Sequence, residues 1–195
     1  MKYTHIDENE DFPESINDFQ YNKVFKLNTA NIKKIKCFIF DIDGVLTDGT
    51  IQKDNNGKEI RTFNTQDNWI ISKLHELGFY TVIICDKISE LIIDLGREMN
   101  IEYVYENDKN KKDEVYHELN NKLSLNAEEI CYIGDDLIDI PLLKKAGFPA
   151  TVKNARPEVK MVDNIYVSFE SGGNGGVRDI IEFILKQQSK FEKLF

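Results

Sequence analysis

The stretch Cys37-Phe38-Ile39-Phe40-Asp41-Ile42-Asp43-Gly44 decides the fold. Its first four residues are apolar at consecutive positions, the pattern of a strand covered on both faces. Two carboxylates separated by a single residue follow at once, and a glycine closes the run. A buried strand ending in Asp41-Ile42-Asp43 suits an open parallel sheet, where ligands bind beyond the carboxyl ends of the strands.

The same texture recurs outward from this point. Strands are expected over residues 37–40, 81–84, 102–105, 130–133 and 150–152. Helical patterns lie between and after them, over 69–77, 88–99, 113–123, 138–146, 157–162 and 177–187. Strand–helix alternation implies right-handed crossovers and an α/β fold, a doubly wound Rossmann-like parallel sheet. One segment breaks the rhythm: residues 50–53 and 58–63 flank Asn56-Gly57 and read as a projecting β-hairpin, with Asn56 and Gly57 supplying its positive-φ positions.

The chain of 195 residues fits one domain over residues 31–195, preceded by an N-terminal extension over 1–30. The extension has weak periodicity and many acidic and amide residues, and reads as a flexible or peripheral segment, with partner binding as the alternative. A net charge of −9 argues against nucleic acid or an anionic membrane as partner. No apolar run is long enough to span a bilayer. The opening MKYTHIDENEDFPES lacks the basic-then-apolar order of a signal peptide. Cys37, Cys85 and Cys131 are odd in number and far apart, so they read as reduced thiols of a cytoplasmic protein.

The chemistry lies in two acidic clusters. Asp41 and Asp43 end the first strand, and Gly134-Asp135-Asp136, with Asp139 shortly after, ends the fourth. Carboxylates converging on one sheet edge need a counter-charge, and a hard divalent cation such as Mg²⁺ is the usual one. A carboxylate fixed beside Mg²⁺ can attack phosphorus and form an acyl phosphate. A second carboxyl two residues on can protonate the leaving oxygen and later activate water. A lone D-x-D often only solvates a turn; the buried strand before it, Gly44 after it and GDDxxD on a later strand favour the catalytic reading.

FDIDGVLTDG (residues 40–49) and IGDDLIDIP (133–141) resemble the haloacid dehalogenase superfamily of phosphatases. Within it the chain is similar to the capless group acting on 3-deoxy-D-manno-octulosonate (KDO) 8-phosphate and related acylneuraminate phosphates. ARPEVK (155–160) and GGNGGVRD (172–179) belong to the same resemblance, which covers about residues 33–187. It implies a fold with no large cap domain and a Mg²⁺-dependent phosphomonoesterase of small acidic sugar phosphates, KDO 8-phosphate or a nonulosonate 9-phosphate, with a place in lipopolysaccharide biosynthesis. By resemblance Asp41 is nucleophile and metal ligand, and Asp43 is general acid/base with its backbone carbonyl on the metal. Asp135 is a further ligand, supported by Asp136 and Asp139. Lys112 is the lysine that balances the phosphoryl charge, with Lys109 and Lys111 close in register, or the three only start a solvated helix. Capless relatives form homotetramers through their hairpins, and the same state is implied here.

The chain departs from that pattern in two places. The second strand ends in Cys85-Asp86-Lys87, where the family has Thr or Ser, then Gly and Arg; a thiol is a weaker donor than a hydroxyl. Lys87 can stand in for the arginine, whereas Cys85 as nucleophile has no histidine beside it in sequence. Asp67-Asn68-Trp69 replaces Asp-Gly and a small or apolar residue. Asp67 lies near the substrate or metal by resemblance, and Trp69 either narrows the pocket or, the reading adopted, packs as a core aromatic. The glycine run 172–176 is either a flexible connection or a segment folding over the site to present Arg178, and the second reading is adopted. The scattered His5, His75 and His117 receive no role. Two other classes compete: a catalytically weakened homologue serving as a binding or assembly subunit, motivated by Cys85 and Asp86, and a signalling receiver domain. Chain order disfavours the receiver, which carries its acidic pair first.

Overall fold

The computed structural model describes residues 29–106 and 112–195; the expected extension, up to Asn28, lies outside the described residues. A short helix α1 (Thr29–Ile32) leads into β1 (Cys37–Phe40), and the hairpin strands β2 (Gln52–Lys53) and β3 (Glu59–Ile60) follow. Next come α2 (Thr65–Lys73), β4 (Tyr80–Cys85), α3 (Glu90–Glu98), β5 (Tyr103–Glu106) and α4 (Lys112–Leu123). The chain continues through β6 (Ile130–Ile133), α5 (Ile140–Leu143), β7 (Phe148–Thr151), β8 (Tyr166–Val167) and α6 (Gly176–Gln187).

The main sheet runs β5-β4-β1-β6-β7-β8, and every neighbouring pair is parallel. The chain moves from β1 to β4 and β5, then returns to β6 on the other side of β1. That reversal is the topological switch point where α/β sheets open a crevice. Phe40 pairs with Ile83 on one side and Ile133 on the other. The register therefore sets Asp41 level with Ile84 and Gly134, one residue short of Cys85 and Asp135.

Consecutive apolar residues on β1 are explained by the two layers. Phe38 and Phe40 share a core with Ile70 and Ile71 of α2, Leu74 just after it, and Ile180, Ile181 and Ile184 of α6. Cys37 and Ile39 face the opposite layer, with Tyr116 and Leu119 of α4 and Leu142 and Leu143 of α5. Residues 41–64, the whole connection from β1 to α2, hold the hairpin and nothing larger.

Several expected boundaries shift. The helix expected over 138–146 shrinks to α5, because a 3₁₀ turn, Leu137–Asp139, precedes it and Pro141 sits at its start. The helix expected over 157–162 is only a 3₁₀ turn, Val159–Met161. The two-residue β8 gave no periodic signal. The hairpin turn also differs from the expected Asn-Gly type. Gly57 has φ +79°, but Asn56 is not among the residues with positive φ. Asp54 does the work instead: its Oδ1 accepts from Asn56 N and Lys58 N, both at 2.8 Å.

Candidate active site

Asp41 follows β1, and its backbone N–H donates to Ile133 O at 3.0 Å, which fixes it against β6. The chain then turns sharply, with the N–H groups of Val45, Leu46 and Thr47 all directed at Ile42 O. The buried Thr47 holds this turn: its hydroxyl oxygen accepts from Gly44 N at 3.3 Å and Gly49 N at 3.1 Å. Gly44 has φ +99°, and a Cβ there would lie 2.1 Å from Asp135 Oδ2. Only glycine lets the Asp135 carboxylate lie directly against the Asp41–Thr47 turn.

On the facing loop, Asp139 is buried and acts as an internal brace. Its Oδ1 accepts from Tyr132 Oη at 2.6 Å, and its Oδ2 accepts from Asp135 N at 3.0 Å and Asp136 N at 3.1 Å. Arg156 N donates to Asp135 O at 3.0 Å, which explains the position of ARPEVK in the fold. Asp136 is exposed and caps the 3₁₀ turn through Leu137 N.

Carboxylate oxygens of Asp41, Asp135 and Asp139 lie within 4.8 Å of one another. Three hard oxygen donors so close, cradled against a glycine, suit a divalent cation such as Mg²⁺. The Asp139 oxygens already accept three hydrogen bonds from within the loop. The field they create is visible on Tyr132: burial, then the charges of Asp139, Asp41 and Asp135, push its hydroxyl well above the usual phenol range.

Asp43 takes a different partner. Arg61, just past β3, donates from Nε to Asp43 Oδ1 at 2.8 Å and from Nη2 to Oδ2 at 3.0 Å. Its Nη1 reaches Glu59 Oε2 at 2.8 Å. Sequence reading missed Arg61; the available signal was Glu59 and Arg61 two apart at the hairpin's exit, where strand alternation sends both to one side.

The end of β4 keeps its departure. Cys85 is 5% exposed, and its thiol points at Tyr105 O, 3.6 Å away. Burial first, and then Asp41, Glu106 and Asp86, raise its pKa from 9.0 to about 11. A thiol that stays neutral at pH 7 is no nucleophile. Asp86 and Lys87 are exposed, and the loop is held by Ile88 N on Glu106 Oε2 at 2.9 Å.

Asp67 and Arg178 meet at the start of α6. Asp67 is fully buried, and its oxygens accept from Gly175 N at 3.1 Å and Arg178 N at 2.7 Å. It thus caps α6, whose own N-cap, Gly175, has no side chain to offer. Burial raises its pKa despite these bonds. The Arg178 guanidinium donates to Glu182 Oε1 at 2.7 Å and lies over Trp69, 5.5 Å from the ring centre. Trp69 is not the core aromatic expected: it is 39% exposed, because α2 buries the stripe Asp67, Ile70 and Ile71 instead.

The glycine run is packed in place. Gly173 N donates to Val45 O at 3.0 Å and Gly172 N to Asn154 Oδ1 at 2.8 Å. A Cβ on Gly172 would lie 1.8 Å from Gly44 O, so the run sits directly on the turn that follows Asp41. Lys112 opens α4, but its side chain, with the whole of Lys109 and Lys111, lies outside the described residues.

Comparison with known proteins agrees with this geometry. Residues 86–181 match the model of haloacid dehalogenase-like hydrolases. The chain is 33% identical over 165 residues to the KDO 8-phosphate phosphatase of Escherichia coli K12, covering 84% of this chain and 86% of that protein. The Yersinia pestis phosphatase of the same name is 35% identical over 163 residues, with 84% of each chain covered. Among solved structures, the KDO 8-phosphate phosphatase of Moraxella catarrhalis, in complex with magnesium, phosphate and KDO, superposes with a TM-score of 0.80 at 31% identity. That match covers 88% of this chain and 95% of the other. The chain belongs to the KDO 8-phosphate phosphatase family of haloacid dehalogenase-like hydrolases.

Proposed function

We propose that the protein is a Mg²⁺-dependent phosphomonoesterase that hydrolyses KDO 8-phosphate through a phospho-aspartyl intermediate on Asp41. The observation that carries this reading is the meeting of Asp41, Asp135 and Asp139 within 4.8 Å, with Asp43 on the adjoining turn. Asp41 and Asp135 side chains and the Asp43 carbonyl would hold the ion. Bound Mg²⁺ would supply Lewis acidity toward the phosphoryl oxygens and offset the carboxylates' charge.

The chain's own residues supply the rest. The Asp41 carboxylate attacks phosphorus, and Asp43 gives a proton to the departing sugar oxygen. Asp43 then accepts a proton from the water that opens the acyl phosphate and returns Asp41 to its starting state. The Gly172–Gly173 segment, packed on the turn, shields it from solvent, and Lys112 would balance the phosphoryl charge from the start of α4. Intact carboxylates at every required position favour an enzyme over a binding or assembly subunit.

A homotetramer and a cytoplasmic location belong to the same reading. Ile51 and Ile60 leave apolar side chains exposed around the hairpin, and Leu137 and Ile138 do so beside the carboxylates, a surface suited to further copies of the chain. Cys37, Cys85 and Cys131 are buried free thiols, as a reducing compartment would keep them. Among the described residues, no helix is long and apolar enough to cross a membrane.

The test is phosphate release with Mg²⁺ from KDO 8-phosphate and from the 9-phosphates of sialic and deaminated sialic acid. Preferred turnover of KDO 8-phosphate is expected. Preference for a 9-phosphate would move the substrate to a nonulosonate, and release from none would overturn the reading.

A further inference from the structure

The Arg61–Asp43 pair has a consequence for substrate selection. The fork binds both oxygens of Asp43, at 2.8 and 3.0 Å. Its guanidinium is well sheltered, with the Arg61 side chain only 12% exposed. Bidentate pairing of this kind is among the stronger and more directional contacts in proteins. While it lasts, the fork takes one lone pair of each Asp43 oxygen and fixes the carboxylate toward Arg61, so that Asp43 is not free to turn to the ester oxygen of a substrate.

The proposed reaction needs one of those oxygens on the leaving group, so the fork must let go when the right substrate binds. A guanidinium released from one carboxylate is best satisfied by another anion of the same shape. Glu59 already takes Nη1 with a single contact at 2.8 Å and leaves the face toward Asp43 unserved. Arg61 also brings a positive fork close to Asp41, Asp135 and Asp139, where an acidic sugar has to bind. The substrate class carries the anion required: an ulosonic acid has a carboxylate that a plain sugar phosphate lacks.

We propose that Arg61 selects the substrate by its carboxylate, exchanging its partner from Asp43 to that carboxylate and so delivering Asp43 to the leaving oxygen. The proposal rests on the phosphatase reading above and adds to it a determinant of specificity. A substrate without the carboxylate leaves Asp43 in the fork and reacts slowly. Removing the fork opens Asp43 to every substrate and erases the distinction between them.

The experiment compares kcat/KM for KDO 8-phosphate with that for D-arabinose 5-phosphate, a sugar phosphate without the carboxylate but with a similar alkoxide leaving group. It is run on the wild type, Arg61→Met and Arg61→Lys. The ratio of the two values is expected to fall roughly 10- to 100-fold in Arg61→Met. Arg61→Lys keeps the charge but not the fork, and should fall between. If the hairpin needs Arg61 to fold, Arg61→Lys carries the test alone. A purely structural role would lower both substrates together, and an unchanged ratio in either folded variant overturns the proposal. Equal turnover of both substrates by the wild type overturns it too, while leaving the phosphatase reading intact. Turnover of neither overturns both.

Discussion

By the family resemblance Cys85 takes the position of a hydroxyl that serves the transferring phosphoryl group, and its thiol is turned toward Tyr105 O. A missing donor to a transition-state oxygen costs about a hundredfold in rate. Cys85→Thr restores a hydroxyl of similar bulk and is predicted to raise kcat/KM by up to about tenfold. Steady-state kinetics of the folded variant checks this; a lower or unchanged value would mean that the position is not short of a donor. At this scale the meeting of Asp41 with Asp135 and Asp139 was legible because a buried strand ending in D-x-D is joined by GDDxxD after a later strand of the same sheet. Arg61 was hardly legible: the Glu59–Arg61 spacing hints that both face one side, but its importance depends on the hairpin folding back over Asp43, which that spacing alone does not reveal. Asp67 was legible as a residue of the pattern, but its bonds to the N-terminus of α6 were not, because they join positions about 110 residues apart.

That cap is the clearest case at the scale of elements. α6 begins after Gly175 with no capping side chain of its own, and buried Asp67, about 110 residues earlier, supplies both acceptors. Removing a cap costs about 0.5–2 kcal/mol, and stranding two buried donors adds to this. Asp67→Ala is predicted to lower stability by about 2–3 kcal/mol, or roughly 4–12 °C in Tm for a protein of this size. Thermal unfolding followed by circular dichroism measures it, and a Tm within one degree of wild type would contradict the capping role. The parallel sheet and the two-layer core were readable from runs such as Cys37–Phe40, because a strand covered on both faces is apolar at every position; the order of the strands was not. The ends of α5 and the hairpin turn were not, since a 3₁₀ turn and an Asp54 side-chain turn replace the regular patterns there.

For the whole molecule, the buried thiols set a pH limit. Cys85 ionises near 9 when unfolded and at about 11 when folded; burial raises Cys37 and Cys131 in the same direction. The folded state therefore retains protons that the unfolded chain gives up. Stability from this source is intact below about pH 9 and is lost as pH rises toward about 11. The urea midpoint is predicted to be lower at about pH 10.5 than at about pH 8, and equal midpoints would contradict the burial of these groups. The central claim concerns the whole assembly of strand, turn and brace around one carboxylate. Its most direct test is peptide mass analysis of enzyme quenched in acid during turnover of KDO 8-phosphate with Mg²⁺. The account predicts one phosphoryl group on the peptide containing Asp41, removable by hydroxylamine and missing in Asp41→Asn, which should also release no phosphate. Continued turnover by Asp41→Asn, or a phosphoryl group on another residue, would contradict it.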